Sequence, residues 1–478
     1  MKRDTRRYPG KTLSTIHYPL SIAKLFAISY SLFAIICFPL GAQETLTVDQ
    51  CRQKAIDHNQ SLQAGRAATQ AAVYTQRSYR ANFLPDFSLS GTGLYSNSDG
   101  TLTVEGGMLP TYTPDATGSL LTDGGYAYFP GMNLDYEVGA IYSAGIQLEQ
   151  PIYMGGKLRA AYSMAKIGRL AAEANEEMTE ADVIVRTDQA YAQAVRAKQL
   201  QQVATTYVAL LDELMRIVES AYDKGLKSKN DVLKVKVKQN EAQLQLRRAE
   251  NAVRLSRMNL CHVIGLPLTS DIEVSDQLTL PDTDEQTVAF DISSRPEYAL
   301  LQHQVDIARQ QVKLDRSELL PQIGLMGSYS YLYGFEIGDR KLFDKASFAV
   351  MLNVSIPLYH FGGRSNKLKA SKAKLRETRF QQQDQNEQMM LQLAQAINNM
   401  DEARIEQQLA ISSLLQAEEN MRVSRRQYEV GLETLSDHLE AQTLWQEAYA
   451  TRIEADFNLF VNHTLLLQAA GLLTSNNN

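Results

Sequence analysis

Few residues of this 478-residue chain are spaced for covalent chemistry. Gly155-Gly156-Lys157 has the ending of a phosphate loop, but Pro151 stands where such a loop needs its first glycine. Neither HExxH nor CxxC occurs. The seven histidines are scattered, and His438 has no histidine or cysteine close by to complete a metal site. Asp437 and Glu440 lie three residues apart, which places both on one helix face. Taken alone, that pair is a solvated acidic face. The chain therefore reads as a non-enzyme without cofactor or metal. If it moves something, the energy must come from a partner.

The elements that position these residues come in duplicate. Residues 300–472 read as a second copy of 64–266. Tyr222-Asp223-Lys224-Gly225-Leu226 returns 206 residues later as Tyr428-Glu429-Val430-Gly431-Leu432. Asp231 and Leu233 return as Asp437 and Leu439, and Gly265-Leu266 as Gly471-Leu472. Upstream, Leu84-Pro85 matches Leu320-Pro321 at a spacing of 236, so one copy carries an insertion of 30 residues between the markers. Repeats of this kind set the architecture before any single motif does.

Composition and the N-terminus bound the class. The chain is 44% hydrophobic and 21% charged with net charge −6, which gives no pull toward nucleic acid. Lys2, Arg3, Arg6, Arg7, Lys11 and Lys24 precede an apolar run, Leu25–Leu40, and Gly41-Ala42 then supplies small residues before Gln43. This is the pattern of a secretory signal peptide over residues 1–42. An uncleaved anchor is the competing reading, but the run is short of the roughly 18 apolar residues that a span needs. Ala34-Ile35-Ile36 before Cys37 lacks the small residues of a lipid-attachment site. Export leaves Cys51 and Cys261 free to form a disulfide, which sequence alone does not decide.

The expected divisions are a first repeat over 43–266, a linker over 267–295, a second repeat over 296–472 and a tail over 473–478. Lys157 to Tyr222 holds no proline and one glycine, and Arg364 to Tyr428 holds neither. Leu200, Val203, Tyr207, Leu210, Leu214, Ile217 and Ala221 step by three and four, a coiled-coil seam. Each stretch spans about 100 Å as a helix. Shorter helices are predicted at 59–83, 230–262, 296–319 and 436–467. Two short helices laid end to end would flank one long helix.

Four strands of about 10 residues are predicted by period-2 alternation. They follow Pro85 (Phe87, Leu89, Tyr95) and Pro321 (Ile323, Leu325, Tyr329), and precede Pro151 (Tyr142, Ile146, Leu148) and Pro357 (Phe348, Val350, Leu352). Two hairpins on a soluble sheet would show the same alternation. The loops favour an outer-membrane barrel: 97–139 is long and 334–346 short, and long loops mark the outer face. Four strands cannot close a barrel, and lipid tolerates no open edge, so copies must pool strands.

This ordered set resembles the TolC-like outer-membrane efflux family over residues 45–472. The marks are the early helix from Leu46-Thr47-Val48 to Asn59, the strand-opening Pro85 and Pro321, and the turns Pro151-Ile152-Tyr153-Met154-Gly155-Gly156 and Pro357–Gly363. Most specific are the paired tips, Gly225-Leu226 with Asp231-Val232-Leu233, and Gly431-Leu432 with Asp437-His438-Leu439. The resemblance implies a mainly α chain with transmembrane β-strands. It implies a homotrimer with a shared twelve-stranded barrel in outer-membrane lipid and a long periplasmic α-barrel. It further implies a passive conduit docked to a periplasmic adaptor and, indirectly, to an inner-membrane pump. Adaptor docking carries over to Gly225, Leu226, Ser228, Gly431, Leu432 and Thr434. The closed periplasmic gate carries over to Asp231, Tyr428, Asp437 and Glu440, and three copies of the face shared by Asp437 and Glu440 would ring the axis with carboxylates and favour cations. Glu433 departs from the family pattern, which has a locking arginine there. An Asp231–Glu433 pair would repel, so closure uses Lys224, Lys227 or Lys229 instead, or the resting state is looser. A protein-secretion channel is the alternative within the class, and an exported coiled-coil adhesin or scaffold the alternative outside it. The adhesin would not need four duplicated strands.

Overall fold

The computed structural model describes residues 45–473, apart from 115, 118, 276, 281–290 and 338–339. The expected signal segment, Cys37, the start at Gln43, the tail beyond residue 473 and eleven residues of the linker lie outside the described residues. In chain order, the first block contains β1 (Thr45–Leu46), α1 (Val48–His58), α2 (Gln60–Ala81), β2 (Asp86–Val104), β3 (Gly107–Pro114), β4 (Leu120–Phe129), β5 (Met132–Met154), α3 (Lys157–Asp223) and α4 (Lys229–Val263). The short β6 (Glu273–Val274) follows. The second block contains α5 (Pro296–Ser317), β7 (Gln322–Ile337), β8 (Arg340–Ser355), α6 (Gly363–Glu429) and α7 (Leu435–Ala469).

The duplication extends to helix length. α2 and α5 have 22 residues each, α3 and α6 have 67, and α4 and α7 have 35. The long pair each reach about 100 Å and the hairpin partners about 50 Å. Helices α2 and α4 both pack along α3, and α5 and α7 both pack along α6. Helix α3 also touches α1, α5 and α7, so it is the central post of the chain.

The observed seam on α3 differs slightly from the sequence pattern. Val203, Tyr207, Leu211, Leu214 and Val218 are buried, whereas Ile217 is exposed and Leu210 only half-buried. Leu210 and Leu211 both satisfy a three-four step, so the sequence leaves the rotation open by one residue. The side that wins faces α4. Near the tips the same side also meets Tyr428, Leu435 and Leu439 of the second hairpin, and Leu210 and Ile217 border that contact.

β2, β5, β7 and β8 form one antiparallel sheet in the order β2-β5-β7-β8. The register sorts residues cleanly onto two faces. Leu89, Ile146, Tyr329 and Phe348 stand in one cross-strand row, and Phe87, Leu148, Gly327 and Val350 in the next row of that face. Between them lies a row of the opposite face, Ser88, Gln147, Ser328 and Ala349. Phe87, Leu89, Ile146, Tyr329, Phe348 and Val350 are all exposed in the single chain. One face is therefore apolar and the other polar, the alternation of a barrel with lipid outside and water within. β2 and β8 leave both sheet edges unpaired.

The strands are longer than expected: 19, 23, 16 and 16 residues. Much of the stretches read as loops is paired. β2 and β5 continue past an irregularity at Ser96/Asp99, and β3 and β4 form a separate hairpin within 97–139. Gly, Asp and Asn there look like loop punctuation, but cross-strand pairing satisfies their backbone groups regardless. β5 also runs through Pro151 to Met154, with an irregularity where the proline cannot donate.

An equatorial core closes the upper part of the first block. Leu46, Cys51, Ala55, Leu62, Tyr191, Val195, Leu260, Ile264, Ile272 and Val274 are buried together. The linker is thus not a free tether: β6 pairs in parallel with β1. Cys51 and Cys261 are buried free thiols in this core, and no disulfide joins them. Burial pushes the Cys51 thiol up to about 12 and raises that of Cys261, so neither is a nucleophile.

Candidate functional site

Both helical hairpins end in the same tip, built from the same backbone logic. α3 closes with Gly225 N–H donating to Tyr222 O (2.8 Å) and Leu226 N–H donating to Ala221 O (2.9 Å). α6 closes with Gly431 N–H donating to Tyr428 O (3.1 Å) and Leu432 N–H donating to Gln427 O (2.8 Å). This double bond pattern needs a left-handed residue after the helix, and Gly225 and Gly431 supply φ of +74° and +80°. A Cβ added to either glycine would meet nothing within 4 Å. Within the chain, therefore, their requirement is conformational rather than spatial.

The next helices open with reciprocal caps. Ser228 Oγ accepts from Asp231 N–H (3.2 Å), and the Asp231 carboxylate accepts from Ser228 N–H (3.1 Å). Thr434 and Asp437 repeat this at 3.2 and 3.4 Å. These capping boxes each satisfy two orphan donors. Hydrogen bonds from Ser228 hold the Asp231 carboxyl below the usual carboxylate range. Two of the expected gate acids, Asp231 and Asp437, are thus occupied in local caps. Glu440 is exposed and lines a groove between α4 and α7 with Lys234 and Lys238.

Folding leaves the tip leucines unexplained. Leu226 is 74% exposed and Leu432 is 81% exposed. They sit at matching positions of the two tips, and Val430, next but one to Leu432, is exposed as well. A paired apolar knob at the extremity of two hairpins is what a docking partner would cover.

The two hairpins are joined just above the tips. The Lys227 ammonium lies over the Tyr428 ring, 4.8 Å from its centroid. Arg425 on α6 reaches Glu213 on α3 at 3.1 Å. Lys234 on α4 donates to Ser436 Oγ at 3.0 Å. Of the three lysines considered for closure, Lys227 is the one placed against an expected gate residue. Tyr428 is not on a free surface: it is 7% exposed and packs with Tyr207, Leu211, Leu214, Leu435 and Leu439 from both hairpins. Glu433 is half-buried, with Oε2 buried and unpartnered, and its charge reaches His438 rather than Asp231.

Sequence reasoning weighed His438 as a metal ligand and missed its surroundings. Its ring stacks on Tyr428 with centroids 5.0 Å apart and planes 3° apart. Nδ1 is 2.9 Å from Ser424 Oγ, and Nε2 is 3.1 Å from Gln442 Nε2. The signal was present: Leu435, His438 and Gln442 step by three and four along the buried face of α7. Among the described residues no cluster of three His, Cys, Asp or Glu side chains is arranged for a metal.

A second polar cluster sits at the equator. Arg52 on α1 donates twice to Asp188 on α3, at 2.7 and 2.6 Å, and Thr464 on α7 donates to the same carboxylate at 2.8 Å. Asp188 is fully buried. This triad fastens the N-terminal segment and the last helix to the central post.

The chain is similar to known proteins. Outer membrane efflux protein BepC of Brucella suis is 24% identical over 367 residues, covering 76% of this chain and 78% of that protein. Alkaline protease secretion protein AprF of Pseudomonas aeruginosa is 25% identical over 235 residues, covering 46% of this chain and 47% of that protein. The crystal structure of the Campylobacter jejuni CmeC outer membrane channel superposes with a TM-score of 0.72 at 17% identity, over 98% of this chain and 94% of that one. The family described as outer membrane efflux protein matches residues 51–266 and 292–472, which takes in both repeats, both tips and the four-stranded sheet. This chain belongs to the outer membrane efflux protein family.

Proposed function

We propose that three copies of this chain form a passive export conduit, with a shared twelve-stranded barrel in the outer membrane and a periplasmic barrel of long helices. The single observation that carries this reading is the sheet: four long strands, one apolar face, one polar face and two open edges. A membrane-spanning sheet must close, because unpaired backbone groups in lipid cost several kcal/mol each. Closure by β2 of one copy against β8 of the next satisfies every edge. The exposed apolar residues of α4 and α6 are then covered in the same step.

The divisions follow: one repeat over 43–266, a linker over 267–295 and a second repeat over 296–472. The tips carry the two remaining assignments. Gly225, Leu226, Ser228, Gly431, Leu432 and Thr434 form the surface for a periplasmic adaptor, supported by the two exposed leucines. Asp231, Tyr428, Glu433, Asp437 and Glu440 belong to the closed end, supported by the contacts that tie the hairpins there. An inner-membrane pump supplies the energy through the adaptor. The cargo is specified by that pump. Similarity to a protein named for protease secretion supports polypeptide cargo as a second reading.

Assembly is tested by isolating the full chain from outer membranes and asking whether it runs as a heat-modifiable trimer. Topology is tested by labelling Ala116→Cys, in the turn between β3 and β4, on intact cells. A monomer that fractionates with soluble periplasm, or a label reached only after lysis, overturns the reading.

A further inference from the structure

We propose that Tyr428 and His438 form a proton-operated latch: neutral His438 lets the second hairpin pack against the first through Tyr428 and Lys227, and protonation of His438 releases the tips. The inference rests on the tips being the closed periplasmic end of the conduit, and it names how that end is regulated.

The geometry is that of a switch between two hairpins rather than of one helix. His438 is 4% exposed and lies against the face of Tyr428. Tyr428 in turn carries Lys227 from the opposite tip. Through these stacked groups, a charge change at His438 on α7 is felt at the contact between hairpins. The neutral ring fits its partners: one nitrogen donates and the other accepts, with Nδ1–H donating to Ser424 Oγ and Nε2 accepting from the Gln442 amide. A second proton turns Nε2 into a donor aimed at another donor. Gln442 would then have to turn its amide over.

The charges around the ring decide the sign. From α6, Arg425 opposes a proton on His438 and Glu429 favours it. Glu433, in the turn, also favours it. From α3, Glu213 is engaged by Arg425. From the first tip, Lys227 already covers Tyr428, and Asp231 is engaged by Ser228. Removal from water outweighs the acids, and the His438 imidazole is held below its ordinary range by burial first. The packed state therefore prefers the neutral ring. Its stability is complete above the ordinary imidazole value of about 6.5 and falls as pH drops below it. The open state, in which the ring meets water, takes the proton.

The periplasm of an exporting cell is exposed to external pH, so such a latch would couple acid to a readier opening. A second buried histidine, His463, also has its imidazole range depressed by burial, but it lies among Arg52, Asp188 and Arg404 at the equator. The test must therefore read the tips themselves.

The full-length assembly in lipid vesicles would carry nitroxide labels on Asp223→Cys and Val430→Cys, one at the end of each long helix. Of the native thiols, Cys37 would leave with the expected signal segment, and Cys51 and Cys261 are fully buried and would not be labelled. Pulsed electron resonance would measure the distance between the labels from pH 7.5 to 5.5. The fraction of separated tips should rise by up to about tenfold per pH unit, the limit for one proton. His438→Gln should flatten this response. His438→Asn and Ser424→Ala, read in the same way, keep the proposal testable if the first variant fails to assemble. Distances that do not change with pH, or an equal rise in His438→Gln, would overturn the latch. Planar-bilayer conductance separates the two readings: no conductance at any pH alongside a His438-dependent tip response would sink the conduit and leave the latch standing.

Discussion

The long helices α3 and α6 have the same length and the same repeat register but opposite surroundings. Val185 on α3 is 7% exposed, and its counterpart 206 residues later, Leu391 on α6, is 69% exposed. Val203 is 6% exposed and its counterpart Leu409 is 63% exposed. Helix α3 is wrapped by α1, α2, α4, α5 and α7, whereas α6 packs along α5 and α7 and reaches α3 near the tips through Arg425 and Tyr428. Duplication produced two similar posts, and the chain spends one of them on its own core. The other keeps large apolar residues at core-like spacing with nothing over them. Such a face is stable in water only when something of matching shape covers it. In the trimer proposed above, a second copy presenting α4, where Leu233, Val237, Leu244 and Leu255 are exposed, would meet that requirement.

The largest effect that separates the two posts should come from Asp188. Its register counterpart on α6 is Ala394, which has no ion-pair network. Asp188→Ala would leave the half-buried Arg52 guanidinium with Asp49 alone, and would free Thr464. Three hydrogen bonds to one buried carboxylate go together, each worth about 1.5–3 kcal/mol, so this is the largest loss of stability expected. Chemical denaturation of the assembled protein measures it. A loss no larger than that of a surface substitution would mean that the triad does not fasten α1 and α7 to the post.

Next comes a test of the uncovered face. Leu391→Asp with Leu409→Asp should abolish assembly while leaving each chain helical. Covering two leucines is worth about 3–6 kcal/mol per interface, at about 1.5–3 kcal/mol for each side chain. The matched pair Val185→Asp with Val203→Asp should instead unfold the chain. Analytical ultracentrifugation with circular dichroism distinguishes the outcomes. If both pairs behave alike, the contrast in exposure has no bearing on assembly.

Much of this contrast was not legible in sequence. The repeat, the helix lengths and the four strands were, because periodicity survives in single residues: the alternation at Phe87, Leu89, Ile146 and Phe348 put these residues on one face as expected. The tips were legible from Gly225 and Gly431, since a helix end followed by a cap leaves few alternatives. The burial of Tyr428 was not, because its partners Tyr207 and Leu211 lie on the other repeat, more than two hundred residues away. Nor was the extra hairpin β3–β4 visible, because its glycines and prolines obscure the alternation. Glu433 was legible as a departure but not in its consequence: His438 is close by in sequence, but its burial, which makes it feel the charge of Glu433, arises from the packing of both hairpins.

A smaller effect should appear at the tips. Gly225→Ala or Gly431→Ala forces a side chain into left-handed backbone, at a cost of about 1–2 kcal/mol, but meets no steric clash. Each should loosen its own tip without unfolding the post. Leu226→Glu with Leu432→Glu should leave stability unchanged and abolish transport in cells. Amide exchange at the tips, paired with an efflux assay, reads both. Wild-type transport in the leucine pair would remove the tips from adaptor docking.

The smallest expected effect is the cap at Asp231, and it separates two acid responses. Ser228 donates to the Asp231 carboxylate, and this lowers its proton affinity in the folded tip. A carboxyl whose folded value is depressed stabilises the fold above its ordinary value of about 3.9, and this contribution is lost as pH falls through the lower folded value. The group is largely exposed, so water screens most of the gain. The cap itself is worth about 1 kcal/mol, and Ser228→Ala should cost that at neutral pH. Asp231→Asn should cost less, because the amide oxygen can still accept. Its deficit relative to wild type should shrink below pH 4, where the wild-type carboxylate is itself becoming protonated. The Thr434–Asp437 box is untouched by either change and serves as the internal reference for amide exchange. This window lies more than two pH units below the onset expected for His438. A deficit in Asp231→Asn that persists unchanged at pH 3 would show that the charge of this carboxylate contributes nothing. An acid response of the tips confined to that lower window would transfer the pH sensitivity from His438 to the caps.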